Sequence, residues 1–161
     1  MGRKQSRIGI LVALSVCTSI AAGCGGRMPQ ALENGSERLA PCPASPNCVS
    51  SEATDAIHAI PAYRIRGDAG TAWKALESQL ALLPRVEIVS DDHGYLYAVF
   101  TTRLMRYRDD VEFGLDGEAG TIRVRSASRV GYGDMGVNRE RIELIRAALA
   151  ERGVVEAIAA H

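Results

Sequence analysis

Between Trp73 and Leu83, apolar side chains recur at three- and four-residue steps (Trp73, Leu76, Leu80, Leu83), the stripe of an amphipathic helix. Asp68-Ala69-Gly70-Thr71 opens it, with Asp68 and Thr71 both suited to the cap, and Pro84 ends it. A short strand is expected at 86–89, and Asp91-Asp92-His93-Gly94 reads as a turn. From Tyr95 to Tyr107 the period changes to two. Leu96, Ala98, Phe100, Thr102 and Leu104 share one face, and Tyr95, Tyr97, Val99, Thr101 and Arg103 share the other, which predicts one long strand with room for a bulge at Thr101-Thr102. The alternation resumes from Asp109 to Leu115, with Val111, Phe113 and Leu115 inward and Asp110, Glu112 and Gly114 outward. After the loop Asp116-Gly117-Glu118-Ala119-Gly120, residues 121–130 place Ile122, Val124, Ser126 and Ser128 on one face and Arg123, Arg125 and Arg129 on the other.

Register follows from this pattern. Two antiparallel strands that turn their apolar faces to one core must oppose residues whose numbers sum to an odd value. A five-residue loop sets Leu115 against Ile122 and Phe113 against Val124. Glu112 then faces Arg125, and Asp110 lies diagonal to Arg125 and Arg129, so the outer face is expected to be a charge ladder. Asp109 and Asp110 are neighbours in one strand and point to opposite faces, so they cannot flank a glycosidic bond together. A second helix is expected from Asn138, a good cap, to about Arg152, with Ile142, Ile145 and Leu149 as its stripe and Gly153 as its stop. The fold class is α+β: a small antiparallel four-stranded sheet with two helices on one face, in the order helix, four strands, helix. An extended Cys/Pro segment from Cys42 to Tyr63 precedes it, from which Ile57, Ile60 and Pro61 are expected to press inward.

The amino terminus has a different character. Arg3, Lys4 and Arg7 precede an uncharged, mostly apolar run from Ile8 to Gly23. As a helix that run reaches about 24 Å, short of a hydrocarbon core of roughly 30 Å, so a cleaved leader fits better than a membrane span. It ends in Ile20-Ala21-Ala22-Gly23-Cys24, which resembles the bacterial lipobox: small residues before a cysteine whose sulfur receives a diacylglycerol. Cys17 follows the branched Val16 and is a poor acceptor. The expected organisation is a leader at 1–23, a tether at 24–40, one globular domain at 41–153 and a tail at 154–161. Membrane lipid, through acylated and palmitate-bearing Cys24, is then a partner, and the location is the bacterial cell envelope. Gly26, where an Asp would favour retention, points to the outer membrane, facing the periplasm.

Cleavage and acylation leave Cys42 and Cys48, an even pair that in an oxidising compartment reads first as a disulfide, with Pro43 and Pro46 bending the chain between them. A redox pair lacks the usual two-residue spacing, and a metal would have only His58, His93 and His161 to draw on, so no metal and no cofactor is expected. His58 is expected to bond backbone. Composition narrows the classes further. The 161 residues are 47% hydrophobic and 24% charged, with 19 basic against 19 acidic, which suits one compact core and offers no basic excess for a nucleic-acid partner. Removing Arg3, Lys4 and Arg7 leaves 16 basic against 19 acidic residues, a net charge near −3. Gly131-Tyr132-Gly133-Asp134-Met135-Gly136 matches the dinucleotide fingerprint by letter, yet too few residues follow the second helix for another parallel strand, and Asp134 would repel a pyrophosphate. It reads instead as a tight strand-to-helix turn, with Asp134 facing an arginine such as Arg129 or Arg139.

Three stretches together resemble the bacterial and plastid family called domain of unknown function 1499 (DUF1499): Cys42-Pro-Ala-Ser-Pro-Asn-Cys-Val-Ser-Ser51, Asp109-Asp-Val-Glu-Phe113, and Arg125 to Arg139 with Arg141-Ile142. The resemblance spans about residues 41–152. It implies envelope or membrane-associated proteins without an established activity, and it carries over no catalytic residues.

The strongest chemical feature is the polar set Asp109, Asp110, Glu112, Arg125, Arg129, Asp134, Asn138, Arg139 and Arg141. As structure it fixes register and docks the glycine loop on the sheet. As a site, arginine forks beside a helix N-terminus suit a carboxylate or phosphate. Three functional readings stay open: a non-catalytic envelope lipoprotein whose domain is structural or binds a protein partner or small anionic ligand; a lipid-binding module with an apolar cavity lined by Phe100, Val124 and Trp73; and an unrecognised enzyme. Ser126 and Ser128 with distant histidines form no hydrolase motif, so the enzyme reading leans to no and no catalytic residue is assigned.

Overall fold

The computed structural model describes residues 39–157. The leader, Cys17, Cys24, the first part of the tether and His161 lie outside the described residues. The elements are β1 (Cys48–Ser50), β2 (Tyr63–Arg64), α1 (Ala69–Leu82), β3 (Val86–Asp92), β4 (Tyr95–Thr101), β5 (Arg108–Asp116), β6 (Thr121–Ser128) and α2 (Val137–Glu151). They form an α+β fold with an antiparallel sheet in the order β1-β6-β5-β4-β3, and β2 also pairs with β6.

The sheet has six strands where four are expected from the pattern. The two additional ones come from the Cys/Pro segment. β1 pairs Val49 with Ser126, and β2 pairs Tyr63 with Ile122, so both lie along one edge of β6. An uncovered β6 would leave a row of backbone donors and acceptors unpaired, and these two short strands satisfy it. Strands of three and two residues are too short to leave a periodic signal.

The β3–β4 and β4–β5 turns also differ from expectation. β3 continues to Asp92, because His93 (φ 49°) and Gly94 (φ 79°) make a two-residue turn of the primed kind, and the register shifts between Ile88 and Ser90. β4 stops at Thr101 rather than Tyr107. A strand running to Tyr107 would leave no chain for the hairpin; instead the Thr102 N–H donates to the Tyr107 carbonyl (2.9 Å) and the Tyr107 N–H to Thr102 Oγ1 (2.9 Å), closing the loop 102–107. The β5–β6 register is as derived: Leu115 opposite Ile122, Phe113 opposite Val124 and Glu112 opposite Arg125.

Both helices pack on one sheet face. Trp73, Leu76 and Leu80 of α1 and Ile142, Ile145 and Leu149 of α2 close over Leu96, Val111, Phe113, Ile122 and Val124. Asp68 is the α1 cap, its Oδ1 accepting from the Thr71 N–H at 2.7 Å. Tyr63 is fully buried and its hydroxyl donates to the Ile142 carbonyl at 2.7 Å; the Arg146 guanidinium lies 4.6 Å over its ring and donates to the Pro61 and Ala62 carbonyls. Of the three residues expected to press inward from the preceding segment, Ile60 does so, whereas Ile57 and Pro61 are exposed. The domain also takes in chain at both ends. Leu39 and Ala40 are buried, and beyond Gly153 the Val154 carbonyl accepts from Arg66 while the Glu156 N–H donates to Arg64, with Val155 buried.

Candidate functional site

The outward residues of β5 and β6 form the charge ladder that register requires, but it is not an outer surface. Glu112 is fully buried, and Asp110 and Arg125 are each 7% exposed. Residues 39–47 lie across the ladder as a strap. The Ala40 N–H donates to Glu112 Oε2 (3.2 Å), Arg125 donates to the Pro41 carbonyl (3.3 Å), and the Asn47 amide donates to the Gly131 carbonyl (2.7 Å). A disulfide joins Cys42 to Cys48 and ties the strap to β1.

Beneath the strap the polar groups pair with one another, except Arg125 Nε, which is buried without a hydrogen-bond partner. Arg125 Nη1 donates to Glu112 Oε1 at 2.6 Å, and the Tyr95 hydroxyl donates to Glu112 Oε2 at 2.8 Å. Arg129 grips Asp110 through Nε (3.0 and 3.1 Å) and Nη2 (2.8 Å), and the Tyr97 hydroxyl donates to the same carboxylate at 2.6 Å. Burial, with the neighbouring carboxylate second, pushes the Tyr95 and Tyr97 hydroxyls far above the ordinary phenol range, so both stay protonated donors. The two tyrosines escaped the sequence reading as site members. The signal was present: they share the outward face of β4, and the β4–β5 register sets Tyr97 opposite Glu112.

The rest of the polar set lies on the other side of the sheet, among the helices. Asp109 pairs with Arg141 of α2, whose guanidinium lies 4.9 Å over the Phe100 ring. Asn138 is the hub. The two N–H groups of its amide are shared among the Asn47 carbonyl (3.0 Å), Ser128 Oγ (3.0 Å) and Asp134 Oδ2 (2.7 Å), while its oxygen accepts from Ser126 Oγ (2.6 Å) and Arg141 (2.6 Å). The structure therefore separates eight of the nine predicted residues onto the two sheet faces, as the alternation of Asp109 and Asp110 demands, and leaves Arg139 outside both groups. Asn47, which ties the strap to Asn138 and to the Gly131 carbonyl, carries no periodic signal.

Two local expectations differ from the structure. Asn138 is not the α2 cap but a fully buried residue inside the helix. The capping carboxylate is Asp134, which accepts from the Gly136 N–H (3.1 Å) and the Asn138 N–H (2.8 Å). Asp134 accordingly faces these amides rather than an arginine, and Arg139 turns away to the Ile57 and Ala59 carbonyls (3.2 and 2.9 Å). Burial raises the Asp134 carboxyl, but the Asn138 and Gly136 N–H groups and the Asn138 amide outweigh it and hold the group below the usual carboxylate range. The glycine loop thus places a carboxylate where a dinucleotide would need its phosphates, with Gly136 (φ 85°) supplying the left-handed turn.

These contacts decide what the polar set can do. Arg125, Arg129 and Arg141 are each committed to a buried carboxylate, which takes their forks from any outside carboxylate or phosphate, and Arg139 gives its Nη2 to two backbone carbonyls. Ser126 hydrogen-bonds Asn138 and Arg141, with no base beside it. His58 is held by Asp55 Oδ1 (2.8 Å) and the Ser45 carbonyl (3.1 Å), so it does bond backbone and also a carboxylate. Among the described residues no group of three or more His, Cys, Asp or Glu side chains could hold a metal ion.

Among the described residues, one feature with room for a ligand is apolar. A groove of about 350 Å³ runs between the end of α1 and the start of α2, lined chiefly by Leu83, Pro84, Val86, Phe100, Val137 and Leu144. Phe100 is the one residue it shares with the cavity expected from the sequence; Val124 and Trp73 are packed in the closed core instead.

No curated protein and no solved structure matches the chain. The family model described as "Protein of unknown function (DUF1499)" matches residues 38–149, from the start of the strap to the last core residue of α2. That span takes in both polar networks and the groove, and the chain belongs to the DUF1499 family.

Proposed function

We propose that this chain is an envelope lipoprotein whose domain is a non-catalytic module that accepts an acyl chain of a membrane lipid. The groove carries the reading. Its volume of about 350 Å³ falls within the roughly 300–1,000 Å³ of small-molecule sites, and its walls are largely side-chain hydrocarbon. The arginine networks act as scaffold in this reading, since their forks are taken up inside the protein. The basic start, apolar run and small residues before Cys24 support a diacylglyceryl anchor there, and Gly26 supports an outer-membrane location facing the periplasm. An anchored domain meets lipid at high local concentration, so a shallow groove suffices for occupancy.

Native mass spectrometry of the acylated protein, extracted in mild detergent from the membranes that make it, tests the groove. The parent is expected to carry a lipid-sized non-covalent adduct, and Leu144→Glu to lose it. Leu144 is 64% exposed, so that change leaves the core intact. A parent without an adduct refutes the lipid-binding reading. For the anchor, Cys24→Ala should abolish labelling by a fatty acid; unchanged labelling removes acylation from the account.

A further inference from the structure

We infer that one end of the sheet is a docking face for an anionic lipid surface. Backbone hydrogen bonds from Thr101 to Arg85 (3.0 Å) and from Arg129 to Arg108 (3.3 Å) bring three connections to that end: the α1–β3 junction, the loop 102–107 and the glycine loop. Their tips are apolar and solvent-facing. Leu104 is 87% exposed, Met105 66%, Tyr132 79% and Met135 fully so. Monomeric proteins seldom leave such a cluster in water without a use for it.

Charge argues for the occupant. Arg85, Arg103 and Arg106 are exposed beside these tips, and among the described residues none has an ion-pair partner. Of the acids nearby, Glu87 lies 3.7 Å from Arg108 and Asp134 caps α2, while Glu140 is exposed in the first turn of α2 beside the groove. The opposite end of the sheet is the reverse, with Asp91, Asp92, Asp116 and Glu118 at its two hairpins and no large exposed hydrophobic residue on those turns. Apolar tips ringed by unpaired guanidiniums match the boundary between acyl chains and anionic headgroups, where aliphatic groups enter and cations meet phosphate. A protein partner would require a matching acidic surface, and this chain's own acids at the far end could supply one, so a second copy is the competing occupant. Leu83, Val86, Phe100 and Val137, which line the groove, lie toward the same end, so the groove adjoins the lipid it is proposed to bind. This deepens the membrane reading, and its test omits the acyl group so that a missing anchor and a missing docking face are distinguished.

The chain from residue 24 onward, carrying Cys24→Ser, keeps every described residue and has no acyl acceptor there. It is mixed with vesicles of phosphatidylglycerol and phosphatidylcholine in equal parts, or of phosphatidylcholine alone, and sedimented. Binding is expected to the anionic vesicles and to weaken with added salt. Arg103→Ala with Arg106→Ala should lower the partition coefficient roughly 30-fold, from about 1 kcal/mol for each cation near such a surface. Asp92→Ala with Glu118→Ala at the far end should not lower it. An indole introduced by Leu104→Trp should be quenched by lipids brominated on the acyl chains. Failure of the parent to sediment with anionic vesicles, or binding indifferent to the Arg103 and Arg106 changes, overturns the inference. A concentration-dependent dimer that ignores vesicles also overturns it and gives the face to a second copy.

Discussion

Arg125 Nη1 stands 2.6 Å from Glu112 Oε1, in a direct cross-strand pair, with the carboxylate wholly removed from solvent. A pair in that position differs from the surface ion pairs that contribute little. Both charges have lost water, and the Ala40 N–H and Tyr95 hydroxyl complete the shell of the carboxylate. The pair therefore fixes two things together: the β5–β6 register and the path of residues 39–47 over the sheet.

Removing one partner is more harmful than removing the pair. Arg125→Met leaves Glu112 buried and uncompensated, and is expected to lower unfolding free energy by about 3–5 kcal/mol. Adding Glu112→Gln, which keeps an acceptor for Ala40 and Tyr95, should restore about 1–3 kcal/mol. Urea denaturation of the parent, both single variants and the double variant measures the coupling. Strictly additive losses would show that the two side chains do not act together.

The disulfide tests the strap. Cys42–Cys48 closes a short loop, for which chain entropy alone gives about 2 kcal/mol. Reduction should lower the thermal midpoint and speed hydrogen exchange at the Ala40 amide, because the bond holds the segment that donates to Glu112. An Ala40 amide exchanging at one rate in both redox states would separate the strap from the disulfide.

At the glycine loop, Asp134→Ala removes the carboxylate that accepts from the Gly136 and Asn138 backbone amides at the start of α2 and from the Asn138 side chain, and should cost about 1–2 kcal/mol. Asp134→Asn, which keeps a neutral acceptor, should lose less. If the two variants unfold at the same denaturant concentration as the parent, the carboxylate is not the cap.

What was legible in the chain follows from how each feature is encoded. The β5–β6 register could be worked out because alternation and loop length both constrain it, and that alone predicted the Glu112–Arg125 pair. The stripes of Trp73, Leu76 and Leu80 and of Ile142, Ile145 and Leu149 mark their helices because burial repeats at helical spacing. β1 and β2 were not legible, since their existence depends on the unpaired edge of β6 rather than on their own residues. The burial of the ladder was hidden for a similar reason: nothing periodic in residues 39–47 says that they cross a sheet face. Asn138 has the residue type of a cap but sits two residues past the cap position, Gly136, where a buried hub accepts the same side chain. The groove is a property of two helix ends and a strand end brought together by the fold, and no local pattern encodes it.

His58 presents both ring nitrogens to acceptors, Asp55 Oδ1 and the Ser45 carbonyl, and only the protonated ring donates to both. The Asp55 side chain first, then the Ser45 carbonyl, raise the His58 value above its ordinary 6.5 despite burial, and the His58 ring and backbone N–H lower the Asp55 carboxyl below its ordinary 3.8. The folded state thus holds the His58 proton more tightly than the unfolded state does. Its contribution is complete below about pH 6.5 and is lost as pH rises through the folded value. For Asp55 the sign reverses: its contribution is present above about pH 3.8 and is lost as pH falls through the folded value. The contact that ties residues 45 and 55 together is therefore strongest in mildly acidic solution, between those limits. Thermal midpoints taken from pH 5.5 to pH 8.5 should fall more steeply with rising pH for the parent than for His58→Gln, which cannot take up the proton. Parallel curves for the two proteins would show that His58 titrates alike in the folded and unfolded chain, and the Asp55 contact would then have no share in the pH response.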